Sequence, residues 1–224
     1  MGNAAGTPKP YDAILFDFDG VLADTEPLHY ECWAEALGPL GISLDWETFR
    51  AHGVGLTDLA LIEFLAAQSP AKIELDAIRS KVQEKKRLFI EKAATRSAVT
   101  AQTCEIVKTL NSYKMAVVTS SSRLEVEPLL NRAGILGSFS AMVFGKEAGR
   151  PKPAPDPYLL AASRLEAKSA LVVEDSEAGL ASGRAAGFDV LHIPHPDLLP
   201  ELLTAALGLA KNGKNPGCVR QPAL

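Results

Sequence analysis

Residues 11–26, YDAILFDFDGVLADTE, constrain the fold more than any other stretch of the chain. The apolar run Ala13-Ile14-Leu15-Phe16 is continuous rather than alternating, as expected of a strand covered on both faces of a parallel sheet. It stops abruptly at two carboxylates, Asp17 and Asp19, followed by Gly20. Acids leaving a buried sheet edge repel each other and lose hydration, so a cation, a shared proton or a dense set of donors must hold them there. A hard divalent metal is one remedy. An acidic turn that merely caps the next segment, with Gly20 at positive φ, is the other reading of the same residues.

The rest of the chain alternates in a way that chooses an architecture. After the first strand, helical spacing predicts helices over 26–40, 46–52, 57–68 and 74–94, with almost no strand signal before about residue 96. From about residue 100 the pattern changes. A helix over 101–112 leads to a strand at 114–119, a helix at 124–133, a strand at 141–144 and a helix at 155–165. A strand at 170–173, a helix at 177–186, a strand at 189–193 and a last helix from about 198 complete the series. Such alternation implies an α/β fold, a doubly wound parallel sheet with helices on both faces. Residues 1–25 and 97–224 are expected to form this core, and residues 26–96 an inserted all-helical cap. An insert at the carboxyl edge of the sheet overhangs the ligand crevice and is placed to act as a lid.

At 224 residues and 47% hydrophobic content, a sizeable core is available. With 23 basic and 27 acidic residues, net charge -4, nothing recommends nucleic acid or an anionic membrane as partner. Cys32, Cys104 and Cys218 are odd in number, far apart and in no metal-ligand spacing, which points to a reducing compartment and against a zinc site. The apolar runs are strand-length and Met1 to Pro10 lacks a signal-peptide core, so the expected location is the cytoplasm.

The unusual polar residues fall at the carboxyl ends of the core strands: Asp17 and Asp19, Thr119 to Ser122, then Glu174 and Asp175. In a doubly wound sheet those ends meet at one crevice. Asp17, Glu174 and Asp175 are candidate ligands for Mg²⁺, with Asp19 contributing its backbone oxygen. A helix N-terminus that favours acid also accounts for Glu174-Asp175, because a helix begins at Ser176-Glu177. Thr119 to Ser122 offer hydroxyls and N–H groups for a phosphate, or ordinary N-capping. Lys152 lies among Pro151, Pro153 and Pro155, which are expected to hold it on a stiff, extended tether.

DFDGV with Asp17 and Asp19, VVTSSS with Thr119, KPAPD with Lys152 and VVEDS with Glu174 and Asp175 resemble, in order, the four motifs of the haloacid dehalogenase superfamily. The insert resembles its helical cap, and residues 17–29 are most similar to the branch of β-phosphoglucomutase and small sugar-phosphate phosphatases. The resemblance implies that Asp17 attacks phosphorus to form an aspartyl-phosphate and that Asp19, with a raised pKa, acts as general acid and base. Mg²⁺, Lys152, the Thr119 hydroxyl and the Ser120 amide would hold the phosphoryl oxygens. The dehalogenases that name the superfamily lack the second aspartate and need no metal, so Asp19, Glu174 and Asp175 point to phosphoryl chemistry.

His29 falls where β-phosphoglucomutases place a hinge histidine, and is also readable as a helix residue without chemistry. Leu56 stands about where they carry an arginine for a second phosphate, for which Arg50 or His52 would have to substitute. The reading favoured is therefore a phosphatase of a small phosphorylated metabolite, with a mutase as the alternative. A retired phosphate- or partner-binding module is the non-enzymatic one. A lid that must move favours a monomer.

Overall fold

The computed structural model describes residues 10–54, 58–68, 74–145 and 147–209. Five parallel strands form one sheet in the order β3-β2-β1-β4-β5. They are β1 (Ala13–Phe16), β2 (Lys114–Thr119), β3 (Ala141–Phe144), β4 (Ala170–Glu174) and β5 (Asp189–His192). The chain runs outward from β1 to β3 on one side, then returns to place β4 against the other side of β1. The strand order reverses at β1, and such a reversal opens a crevice at the carboxyl ends of the strands.

Between β1 and β2 lie α1 (Glu26–Leu37), α2 (Trp46–His52), α3 (Asp58–Gln68), α4 (Leu75–Arg79) and α5 (Val82–Ala93). The remaining helices are α6 (Ala101–Thr109), α7 (Arg123–Arg132), α8 (Asp156–Leu165), α9 (Glu177–Ala185) and α10 (Leu199–Ala206).

Strand side chains alternate between faces, and two separate cores follow from that period of two. Ile14, Phe16, Met115, Val117, Leu171 and Val173 face a core shared with α6, α7 and α10. Ala13, Leu15, Ala116, Val118, Ala170 and Val172 face Tyr158, Ala161, Ala162 and Leu165 of α8. The helices of the insert bury a third cluster of their own, built on Trp33, Leu37, Phe49, Leu61, Ile62 and Ile78. Phe89 and Leu88 of α5 instead join the first core, so α5 binds the insert to the sheet layer.

Two expectations need correction. The helix over 74–94 is broken: α4 ends at Arg79, and the Ser80 hydroxyl donates to the Ala77 carbonyl at 2.7 Å. A serine bonding its own preceding turn competes with the helical ladder, and α5 starts afresh at Val82. The prolines around Lys152 do not extend the backbone either. The Lys152–Pro153 peptide is cis, and the Ala154 N–H donates to the Pro151 carbonyl at 2.9 Å, so the lysine sits inside a turn. The tether is folded back where an extended one was expected. Among the described residues, no helix is long and apolar enough to cross a membrane.

Candidate active site

The register of the sheet brings the site together. Phe16 pairs with Val117 and Val173, so Asp17 emerges one step further, level with Val118 and Glu174. The Asp17 N–H continues the ladder to the Val173 carbonyl at 2.9 Å. Asp17, Glu174 and Asp175 each offer a carboxylate oxygen within 4.8 Å of the others. The Lys152 ammonium reaches in from the proline turn, 2.6 Å from Asp17 Oδ1, 2.5 Å from Glu174 Oε1 and 3.0 Å from the Val118 carbonyl. Its side chain is 8% exposed, so this is one buried cation among three acids.

Burial pushes the Asp17 carboxyl up to about 8; Lys152 pulls it back, while Glu174 and Asp19 push it further. Burial likewise lifts Asp175 to about 9, with the charges of Asp17, Glu174 and Glu26 adding to it. Burial acts upward on Glu174 too, but Lys152 and a set of donors outweigh it and hold that carboxyl low. Glu174 Oε1 accepts from Lys152 and, at 2.9 Å, from the buried Tyr158 hydroxyl. Its Oε2 accepts from the Asp175 and Ser176 N–H groups and the Ser176 hydroxyl, at 2.9, 3.0 and 3.1 Å. One lysine cannot balance three carboxylates once all are ionised, and an oxygen-only donor set whose acids hold protons for want of a counter-charge fits a hard divalent cation.

Two glycines make room for these acids. Gly20 has φ +77°, and a Cβ there would lie 2.1 Å from Asp175 Oδ2. Gly179, in the first turns of α9, lies so close beneath Glu174 that a Cβ would stand 1.7 Å from Oε1.

Asp19 faces a different set of groups, away from the three-acid cluster. Its Oδ1 accepts from the Thr25 hydroxyl at 2.5 Å and lies 3.4 Å from His29 Nε2. Its Oδ2 accepts from Ser121 at 2.7 Å and Thr119 at 3.3 Å. The family resemblance implies a raised pKa for this residue, and the structure shows the opposite. Burial alone would raise it, but His29, Thr25 and Ser121 together bring the carboxyl well below the usual range. His29 stacks on Phe89 of α5, centroids 4.3 Å apart. The second hydroxyl that this turn gives Asp19 is thus that of Ser121, while Ser120 is exposed just past the end of β2.

Thr25 and Tyr158 are residues of this cluster that the sequence does not single out, whereas Ser121 falls within the hydroxyl run 119–122 that it does. Tyr158 carries the one usable signal, an aromatic with a polar tip on the buried face of the helix that follows the lysine turn. Arg50 pairs with Glu47 on the exposed face of α2, and His52 stacks on Phe64. Leu56 lies outside the described residues, as does Cys218; Cys32 and Cys104 are free thiols. His195 accepts from the Asp197 N–H at 3.3 Å, capping a turn as a structural histidine does.

Residues 11–187 match the family model described as haloacid dehalogenase-like hydrolase. The chain is 29% identical over 187 residues to fructose-1-phosphate phosphatase YqaB of Escherichia coli, covering 82% of this chain and 96% of that protein. It is 31% identical over 184 residues to the phosphorylated carbohydrates phosphatase of Thermotoga maritima, covering 81% and 84%. The solved structure of CbbY from Rhodobacter sphaeroides in complex with phosphate superposes with a TM-score of 0.68 at 28% identity, over 80% of this chain and 84% of that one. Strand order, acids at the strand ends and a match across most of the chain agree, and the protein belongs to the haloacid dehalogenase-like hydrolases.

Proposed function

We propose that this protein is a Mg²⁺-dependent phosphomonoesterase of small phosphorylated sugars or polyols, working through an aspartyl-phosphate on Asp17. The observation that carries the reading is the buried lysine held between Asp17 and Glu174, beside the uncompensated Asp175. Relatives named as phosphatases of fructose 1-phosphate and of phosphorylated carbohydrates support the substrate class.

Asp17 and Asp175 would hold the metal directly, with the Asp19 backbone oxygen. Glu174, whose oxygens already receive five donors, stands in the same cluster and fixes Lys152. Bound Mg²⁺ would supply positive charge to the phosphoryl oxygens. Lys152, the Thr119 hydroxyl and the Ser120 amide would hold those oxygens as Asp17 attacks, which fixes attack geometry and spreads the transferring charge. Asp19 would give a proton to the leaving oxygen and take one from the water that opens the aspartyl-phosphate. Its surroundings hold the ionised form, suited to the second half of that cycle, so the first half requires the ester to loosen those donors on entry. Residues 26–96 would act as the lid, with His29 at its hinge.

The test is phosphate release from a panel of sugar and polyol monophosphates by the purified protein with Mg²⁺. Release that is saturable and lost with chelator is expected. Interconversion of β-glucose 1-phosphate and glucose 6-phosphate faster than release from either would replace the phosphatase with a mutase.

The elevated acids give a second expected result. Asp17 and Asp175 have folded pKa values above their unfolded ones, so between about pH 4 and pH 9 these two side chains hold more protons in the native state than in the unfolded chain. Metal-free stability therefore falls as pH rises through that window, and a cation binding the same oxygens displaces those protons. Saturating Mg²⁺ should raise Tm more at pH 8 than at pH 6, the difference being about 3 °C or more in a thermal melt. An increment independent of pH would mean that these carboxyls are not the ligands.

A further inference from the structure

A second buried charged group lies outside the catalytic cluster, where the insert meets the sheet layer. Lys85 of α5 is 4% exposed in its side chain, and its ammonium lies 3.2 Å from Asp58 Oδ1 of α3. It is 3.7 Å from Oε1 of Glu125, a residue of α7 whose side chain is also 4% exposed. The rings of Trp33 and Phe89 stand 5.9 Å from the ammonium, and the Trp33 indole N–H donates to the same oxygen of Asp58 at 3.2 Å.

Glu125 splits its two oxygens between different tasks. Oε2 accepts from both the N–H and the hydroxyl of Ser122, at 3.0 and 2.6 Å, closing the capping box of α7. Oε1 is buried and makes no hydrogen bond. Capping uses only the first oxygen and works equally well with the second in water, so burial of the orphan oxygen costs free energy without improving the cap. What that burial achieves is contact with a cation on the insert. The capped residue adjoins Ser121, whose hydroxyl reaches Asp19 Oδ2 at 2.7 Å and whose N–H donates to the Thr119 hydroxyl at 3.0 Å.

We infer that Glu125 is a positioning residue for the hydrolase reaction: it takes the charge of Lys85 on the insert and uses it to fix the Thr119–Ser122 loop against Asp19. The insert then does more than cover the crevice. With α5 seated, Lys85 holds Glu125, Glu125 holds Ser122, and the hydroxyls beside Asp19 are in place. With α5 displaced, the carboxylate loses its counter-charge and is drawn toward water, away from Ser122. Asp58, Trp33 and Phe89 keep the ammonium aimed at the seam.

This inference rests on the phosphatase reading for its kinetic arm alone. The experiment compares Lys85→Met, Glu125→Gln, the double variant and Lys85→Arg in the full chain. Glu125→Gln keeps a capping acceptor while removing the charge, and Lys85→Arg keeps the cation. Each of the first two should lower kcat/KM for the best sugar phosphate by about tenfold, chiefly through kcat, with the double variant no worse than the worse single. Hydrogen exchange of peptides spanning residues 120–126 should quicken in Lys85→Met, since the Lys85 ammonium meets that segment at the Glu125 carboxylate, and should return toward wild type in Lys85→Arg. Additive kinetic losses, or unchanged exchange at 120–126 in Lys85→Met, would overturn the inference and leave Lys85 acting on its own. The exchange arm needs no turnover, so a protein that hydrolyses none of the esters defeats the phosphatase reading without touching the coupling.

Discussion

Asp17→Asn is expected to lower phosphate release by roughly 10³-fold or more, because an amide cannot form the phosphoryl-enzyme bond proposed for Asp17. The same change should leave the fold intact. The asparagine side chain would retain an oxygen at the end of β1 to accept from Lys152, now 2.6 Å from Asp17 Oδ1. Stability should move the other way from activity. Burial raises the folded pKa of Asp17, so its contribution to stability is present at low pH and lost as pH climbs through that value. At pH 8 without metal, the variant should therefore melt at or above the wild-type temperature, whereas at pH 4 the two should nearly coincide. Measuring release and Tm on one preparation tests both statements. Turnover that survives the substitution removes Asp17 as nucleophile, and a lower Tm at pH 8 contradicts the crowding of like charge around it.

Lys152→Met should fail in both respects. The methylene stem is kept, but Asp17, Glu174 and Asp175 lose their only close cation among the described residues. Removing one partner of a buried ion pair costs roughly 3–5 kcal/mol, since the stranded charge stays in place. Here the stranded acids can take up protons instead, so the deficit in a urea titration should be large near pH 8 and shrink toward pH 5. On the proposed mechanism, activity should fall by about 10²-fold or more even where the protein remains folded, because the cation assigned to the transferring phosphoryl is gone. A deficit that does not depend on pH would place the lysine's stabilising contact elsewhere.

What the sequence disclosed and what it withheld divide along a physical line. The sheet, its helices and the acids at the strand ends are legible because each is local: AILF followed by Asp17, or ALVV followed by Glu174 and Asp175, states burial and its abrupt end within a few residues. The break between α4 and α5 is hidden because Ser80 sits in a continuous helical pattern and reveals itself only by bonding back to Ala77. The direction of the Asp19 shift is hidden for a different reason. It depends on Thr25, His29 and Ser121 converging from separate segments, and no spacing in the chain announces how many donors one carboxylate will collect. The contacts of Tyr158 with Glu174 and of Lys85 with Glu125 belong to the same kind, being products of how α8 and α5 dock.

The near contact between Glu174 and the backbone at Gly179 bears on protein engineering. Grafting the acids and the lysine onto another α/β scaffold would reproduce the side chains but not the centre, unless the recipient helix also approaches its strand closely enough, and barely clothed, to leave the carboxylate its berth. The transplantable unit here is a spacing between two backbones, and the reactive groups come second.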